Sequence, residues 1–160
     1  MALRVVVVTV GDSISAGQRE DVSGPAVRDR CAALGWQVVS SHVVSDDSAM
    51  IQVKLRELAD AGEADIVVTT GGTGVGPRDS TPEATMAACE KLVPGLAELM
   101  RQKGQQTAPR AMLSRAAAGI RGRTLIVNLP GSPKGAVESL DAVAELIPHA
   151  VEVLHGARHE

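Results

Sequence analysis

The sequence predicts an α/β fold, a three-layer sandwich around a mostly parallel central sheet. Three observations predict it. Apolar runs at residues 3–10, 66–68 and 123–129 are nearly continuous, as in strands covered on both faces. Stretches of helical periodicity separate these runs, and strands alternating with helices imply parallel pairing through crossovers. Polar turns follow the strands, several of them rich in glycine, at the sheet edge where such folds gather ligands.

Each element has a local reason. Residues 3–10 form the first strand, and residues 11–17 a polar turn. Ser23 can cap a helix to about residue 34, with Pro25 early, Gly35 as the stop, and Val27, Cys31 and Leu34 on one face. Residues 36–44 form the second strand. Asp46, Asp47 and Ser48 open a helix to about residue 61, with Ile51, Leu55 and Leu58 facing inward. Residues 65–70 are the third strand. A glycine loop follows, then a helix from Pro82 to about residue 92, broken by Pro94 and Gly95 and resumed over 96–103. Residues 104–109 read as a polar loop. Residues 110–122 are Ala-rich yet broken at Gly119 and Gly122, and fit neither template. Residues 123–129 form a strand and 130–135 a turn. Residues 136–154 close the chain as a helix bent at Pro148.

The 160 residues suffice for one domain with a substantial core. Residues 1–155 read as that domain, and 156–160 as a short polar tail expected to fray. A net charge of −3 without any basic run argues against nucleic acid as a partner. With no Phe or Tyr and Trp36 alone, the core must come from Val, Leu, Ile and Ala. A nucleotide base would then be held by backbone groups and aliphatic walls. Cys31 and Cys89 belong to no CxxC pattern and read as reduced thiols. The first apolar run is too short for a signal segment, and none is long enough to span a bilayer, so a cytosolic protein is expected.

The most informative stretch is Thr69-Thr70-Gly71-Gly72-Thr73-Gly74-Val75-Gly76-Pro77-Arg78-Asp79-Ser80-Thr81-Pro82-Glu83. It reads as strand, glycine loop and helix start, with Ser80 or Thr81 as N-cap. Glycines let backbone N–H groups approach a ligand, and a helix N-terminus adds partial positive charge. Phosphate is the anion such a loop suits. Asp79 inside it would repel phosphate unless a cation bridges them, and Mg²⁺ is the usual bridge. The loop lacks the lysine of a P-loop and the spacing of a dinucleotide fingerprint. Asp47 reads as a helix N-cap. Asp46, one step earlier at the strand end, stands open between functional carboxylate and turn residue. Asp12 and Ser13 follow strand one and are candidate binders. Pro130, Gly131, Ser132 and Lys134 either make a plain strand-to-helix turn or offer Ser132 and Lys134 to a phosphate. The histidines show no ligand spacing, and no Ser or Cys has a nucleophile's surroundings.

Taken together, the residues resemble the molybdopterin-binding Mog/MoaB family. Thr69-Thr70-Gly71-Gly72-Thr73-Gly74 and Arg78-Asp79-Ser80-Thr81-Pro82-Glu83-Ala84-Thr85 carry the resemblance. Pro94-Gly95, Ala111-Met112-Leu113-Ser114-Arg115 through Gly119-Ile120, and Asn128-Leu129-Pro130-Gly131-Ser132-Pro133-Lys134 continue it in order. Ser45 stands where the family commonly has proline, before Asp46 and Asp47. The resemblance implies the molybdopterin-binding fold and a reaction of molybdopterin with ATP and Mg²⁺ to give adenylyl-molybdopterin and pyrophosphate. It implies two working aspartates, carried here onto Asp46 and Asp79, which would also hold the metal. It implies ligand contacts from Gly71, Gly72, Thr73, Gly74, Arg78, Ser114, Asn128, Pro130, Gly131, Ser132 and Lys134, beside Asp12 and Ser13. It further implies a cytosolic homotrimer that hands its product to the molybdate-inserting enzyme. A non-catalytic trimeric carrier of molybdopterin is the competing expectation, and a scaffold within a larger protein a third.

Overall fold

The computed structural model describes residues 2–158. A six-stranded sheet has the order β2-β1-β3-β6-β5-β4. The strands are β1 (Arg4–Val10), β2 (Gln37–Val44), β3 (Ile66–Thr70), β4 (Lys91–Leu92), β5 (Ala118–Arg121) and β6 (Thr124–Leu129). The first three and β6 run parallel, and β5 and β4 add an antiparallel edge. The helices are α1 (Asp12–Ser15), α2 (Ser23–Ala33), α3 (Ser48–Asp60), α4 (Thr81–Ala88), α5 (Pro94–Gly104), α6 (Pro133–Val143) and α7 (Leu146–Leu154). A 3₁₀ turn covers Pro109–Leu113.

Strand side chains alternate between two cores. Val5, Val7, Ile66, Val68 and Leu125 pack with Val27 and Cys31 of α2, Leu96 and Met100 of α5, and Leu140 of α6. Val6, Val8, Val67 and Ile126 pack on the other face with Ile51 and Leu55 of α3 and Ala84 of α4. Helices on both faces of one sheet make the expected three layers. Each fully buried Leu or Ile stabilises the fold by about 1.5–3 kcal/mol relative to an exposed one, and the core is built almost wholly of such aliphatic side chains.

Several boundaries differ from the sequence reading. Residues 12–15 form a short helix within the expected turn. Ser23 is not the cap of α2; Asp21 Oδ1 accepts from the Gly24 N–H instead (2.9 Å). The helix after the glycine loop stops at Ala88, and residues 91–92 pair with β5. Pro94 opens α5, where its missing N–H has no cost, rather than breaking a helix. The ambiguous segment becomes the 3₁₀ turn and β5. Gly119 there admits no Cβ, since the Cys89 Sγ and Lys91 carbonyl would lie 2.7 Å away. The closing helix divides between Val143 and Leu146, and Pro148 sits harmlessly in the first turn of α7. Gly156 and Ala157 of the tail still donate to Val153 and Glu152 carbonyls, and residues 159–160 lie outside the described residues.

Candidate functional site

Four loops converge at the C-terminal edge of the parallel strands. Gly11 N–H donates to the Val44 carbonyl (3.0 Å), joining the loops after β1 and β2. Gly71 N–H donates to the Leu129 carbonyl (3.1 Å), and Thr70 Oγ1 to the Pro130 carbonyl (2.6 Å), joining those after β3 and β6. Gly71 and Gly72 take φ of +105° and +71°. Side chains there would run into the Val10 carbonyl and Thr81 Oγ1 respectively.

The glycine loop forms one wall of a cleft of about 570 Å³. Gly72, Thr73, Gly74 and Asp79 line that wall, Ser114 and Pro130–Ser132 the floor and side, and α5, α6 and the 3₁₀ turn the far wall. Among the described residues, the N–H groups of Gly72, Thr73 and Gly74 find no protein acceptor. They are free for a ligand anion. Asp79 folds back so that Oδ2 accepts from the Gly76 N–H (2.9 Å). A Cβ at Gly74 or Gly76 would lie 2.9 Å from that oxygen, so glycine is what lets the carboxylate rest against the loop.

Beside the cleft stands a second set of predicted residues. Asp12 and Asp46 exchange bonds: each backbone N–H donates to the other's carboxylate at 2.9 Å. Arg78 grips Asp12 through two nitrogens, at 3.0 and 3.1 Å. That guanidinium, with the Asp46 N–H, holds the Asp12 carboxyl below its ordinary value. A Cβ on Gly72 would come within 3.4 Å of Asp46 Oδ1, so Asp46 flanks the glycine loop from behind the cleft wall. Ser80 occupies the N-cap position of α4, but its hydroxyl donates to the Asp46 carbonyl (2.9 Å). Asp47 turns away and caps α3 through the Met50 N–H (3.0 Å), which leaves Asp46 as the inward acid.

Other predicted residues sit elsewhere. Asn128 is fully buried beneath the site, and its amide is spent on Thr69, Thr85 and the Ala117 N–H. It is a brace and presents nothing to a ligand. Lys134 is 84% exposed, does not line the cleft, and faces Glu138 (3.9 Å). Arg78 is already neutralised by Asp12. Ser13 lies half-exposed in α1, outside the cleft. Ser132 caps α6 through the Gly135 N–H (3.0 Å), with its residue still at the cleft.

One residue given little weight in the sequence proves central. Arg115 donates to the Gly74 carbonyl (2.7 Å) and the Asp79 carbonyl (3.0 Å), while binding Glu83 at 2.6 and 3.2 Å. Its own N–H donates to the Thr73 carbonyl (2.7 Å). It clamps the loop by its carbonyls and leaves the N–H groups of Gly72–Gly74 without a protein acceptor among the described residues. Its guanidinium also lowers the Glu83 carboxyl. The available signals were its place after Ser114 in an Ala-rich segment and within one of the stretches that carry the family resemblance.

A broader cleft of about 1120 Å³ lies at the opposite, N-terminal edge of the strands, lined by Arg4, Asp65 and His155 among others. Among the described residues its lining includes no glycine loop, and its Asp65 is paired with Arg4.

A family model described as a probable molybdopterin binding domain matches residues 6–149. A molybdopterin adenylyltransferase of Helicobacter pylori strain J99 is 41% identical over 156 residues, covering 96% of this chain and 89% of that protein. The molybdopterin adenylyltransferase of Escherichia coli K12 is 35% identical, covering 96% and 86%. The crystal structure of the molybdopterin biosynthesis enzyme MoaB from Thermus thermophilus superposes with a TM-score of 0.91 at 47% identity, over 99% of both chains. Both the family model and these relatives span nearly the whole chain, cleft and acid cluster included, and the chain belongs to the molybdopterin-binding domain family.

Proposed function

We propose that this protein transfers the adenylyl group of ATP to the terminal phosphate of molybdopterin, giving adenylyl-molybdopterin and pyrophosphate. One observation carries the reading: unpaired loop N–H groups and the Asp79 carboxylate line a cleft, with Asp46 against the same glycine loop, in a family whose relatives bear that name. A phosphate oxygen of the pterin attacks the α-phosphorus of ATP. The bond from that phosphorus to the bridging oxygen breaks, and pyrophosphate leaves. A phosphate monoester has a second pKa of about 6 and is already mostly dianionic at neutral pH. No general base is then required, and the work left to the protein is positioning and charge neutralisation.

Asp79 and Asp46 suit Mg²⁺. In each, Oδ2 is taken by a backbone N–H, while Oδ1 has no donor among the described residues. Among the described residues no three acidic, His or Cys side chains cluster as a closed metal site. An ion held by these one or two carboxylates would be completed by phosphate and water. Mg²⁺ bound there would neutralise phosphate charge. The N–H groups of Gly72–Gly74 would receive phosphate oxygens, Arg115 would keep the loop shaped, and Ser114 and the Pro130–Ser132 segment would line the substrate's bed. The same reading makes residues 1–155 one working unit, assigns it to the cytosol as a homotrimer, and passes its product to a molybdate-inserting enzyme.

The test is pyrophosphate release on incubation with ATP, Mg²⁺ and molybdopterin. Release that needs both substrates is expected. Pterin binding without release would mark a carrier instead. Asp79→Asn keeps the side-chain shape and should leave a folded protein with little adenylation. Full activity in that variant would remove Asp79 from the mechanism.

A further inference from the structure

The two walls of the cleft differ in charge. On the glycine-loop side, neither the Asp79 nor the Asp46 carboxylate has a lysine or arginine within ion-pair distance among the described residues; Arg78 is bound to Asp12 and Arg115 to Glu83. On the far wall stand Arg101 of α5 and Arg110 of the 3₁₀ turn, both lining the cleft. Arg101 is half-buried, and Nη1 donates to the Ser114 and Ala116 carbonyls at 3.3 and 3.0 Å. Among the described residues no carboxylate lies within ion-pair distance of it. Arg110 is exposed, and its side chain has no hydrogen bond or ion pair among the described residues. The acid on that wall, Glu138, is occupied by Lys134 and by Thr107 Oγ1 (3.4 Å).

A half-buried guanidinium without a counterion is costly to desolvate, and an anionic ligand removes that cost. Carbonyls of Ser114 and Ala116 fix Arg101 through one nitrogen, and its other nitrogens have no acceptor among the described residues. A planar guanidinium matches phosphate oxygens in a two-point contact. We propose that Arg101 and Arg110 form a phosphate subsite on the far wall, holding a substrate phosphate group that the acid side does not neutralise. The inference rests on the adenylyl-transfer reading for the identity of the substrates. Two sources share this chemistry: the monoester phosphate of the pterin, and the phosphates of the nucleotide that leave as pyrophosphate. Arg101 supplies the fixed charge and Arg110 the one that swings in from solvent.

Calorimetric titration of the whole protein with Mg²⁺–ATP and, separately, with molybdopterin tests this. Arg101 also supports the backbone, so Arg110→Gln is the cleaner variant. It should melt like the wild type yet bind one of the two ligands about tenfold or more weakly, the loss expected of a charged hydrogen bond. The ligand affected names the source of the phosphate. Adding Arg101→Lys should weaken the same ligand further. Binding of both ligands within about twofold of wild type in Arg110→Gln would overturn the subsite, as would a wild type that binds neither. Failure of the adenylyl-transfer reading would look different: no pyrophosphate from the wild type, with the binding defect of Arg110→Gln still present.

Discussion

Gly71 shows how one residue sets the site. Its φ of +105° lets the chain turn off β3, and a Cβ there would strike the Val10 carbonyl, which is backbone and cannot move aside. Gly71→Ala should therefore destabilise the protein by about 2 kcal/mol or more, read from the midpoint of denaturant unfolding; an unchanged midpoint would contradict the strain argument. Arg115 acts through the loop it clamps. Arg115→Gln loses the paired contact with Glu83 and at least one loop carbonyl. It should keep the fold but raise the KM for Mg²⁺–ATP by about tenfold, while Glu83→Gln, which spares the contacts to Gly74 and Asp79, should do less. Equal and small effects from the two would make the clamp irrelevant to binding. These residues also show what sequence can reveal. The glycines were legible because their backbone requirement is local. Arg115 was not, because its partners lie 32 and 41 residues away.

At the scale of elements, Asn128 ties four together. It sits on β6, donates to Thr69 on β3 and Thr85 on α4, and accepts from Ala117 next to β5. Asn128→Ala would strand buried hydroxyls and an N–H, and should cost about 2–3 kcal/mol, seen as a lower unfolding midpoint together with weakened ligand binding. Loss of binding without loss of stability would return Asn128 to the ligand-contacting role that the family resemblance implied for it. The parallel strands were legible because both faces are covered and their runs are continuous. The antiparallel edge pair of β4 and β5 was not. Residues 91–92 form a strand only because Gly119 lets them approach, a tertiary fact without local periodicity. The acid turn at Asp46 and Asp47 was half legible. Asp47 takes the cap that its place before the helix predicts, and only the fold shows Asp46 turning to Asp12.

Across the whole molecule, the sheet's two ends carry opposite kinds of acid. At the C-terminal edge the Asp46 and Asp79 carboxylates form no ion pair among the described residues, in keeping with a ligand that brings its own cation. At the N-terminal edge Asp65 is tied down: Arg4 donates its backbone N–H (2.9 Å) and Nη2 (3.0 Å) to it, and His155 beyond α7 lies 3.8 Å away. Burial works against the Asp65 charge, but the hydrogen bonds from Arg4 outweigh it, so the carboxyl sits below its ordinary value of 3.8. A lowered folded value means that the ionised form favours the native state. This contribution is complete above the ordinary value and disappears as pH falls through the lowered one. Glu83 follows the same sign through Arg115. Asp65→Asn should therefore be less stable than the wild type at neutral pH, and the gap should close as the solution is acidified below the ordinary aspartate range. Denaturant unfolding at a series of pH values reads the gap directly. A difference that stayed constant with pH would mean that Asp65 holds β1, β3 and the chain's end by shape and not by charge.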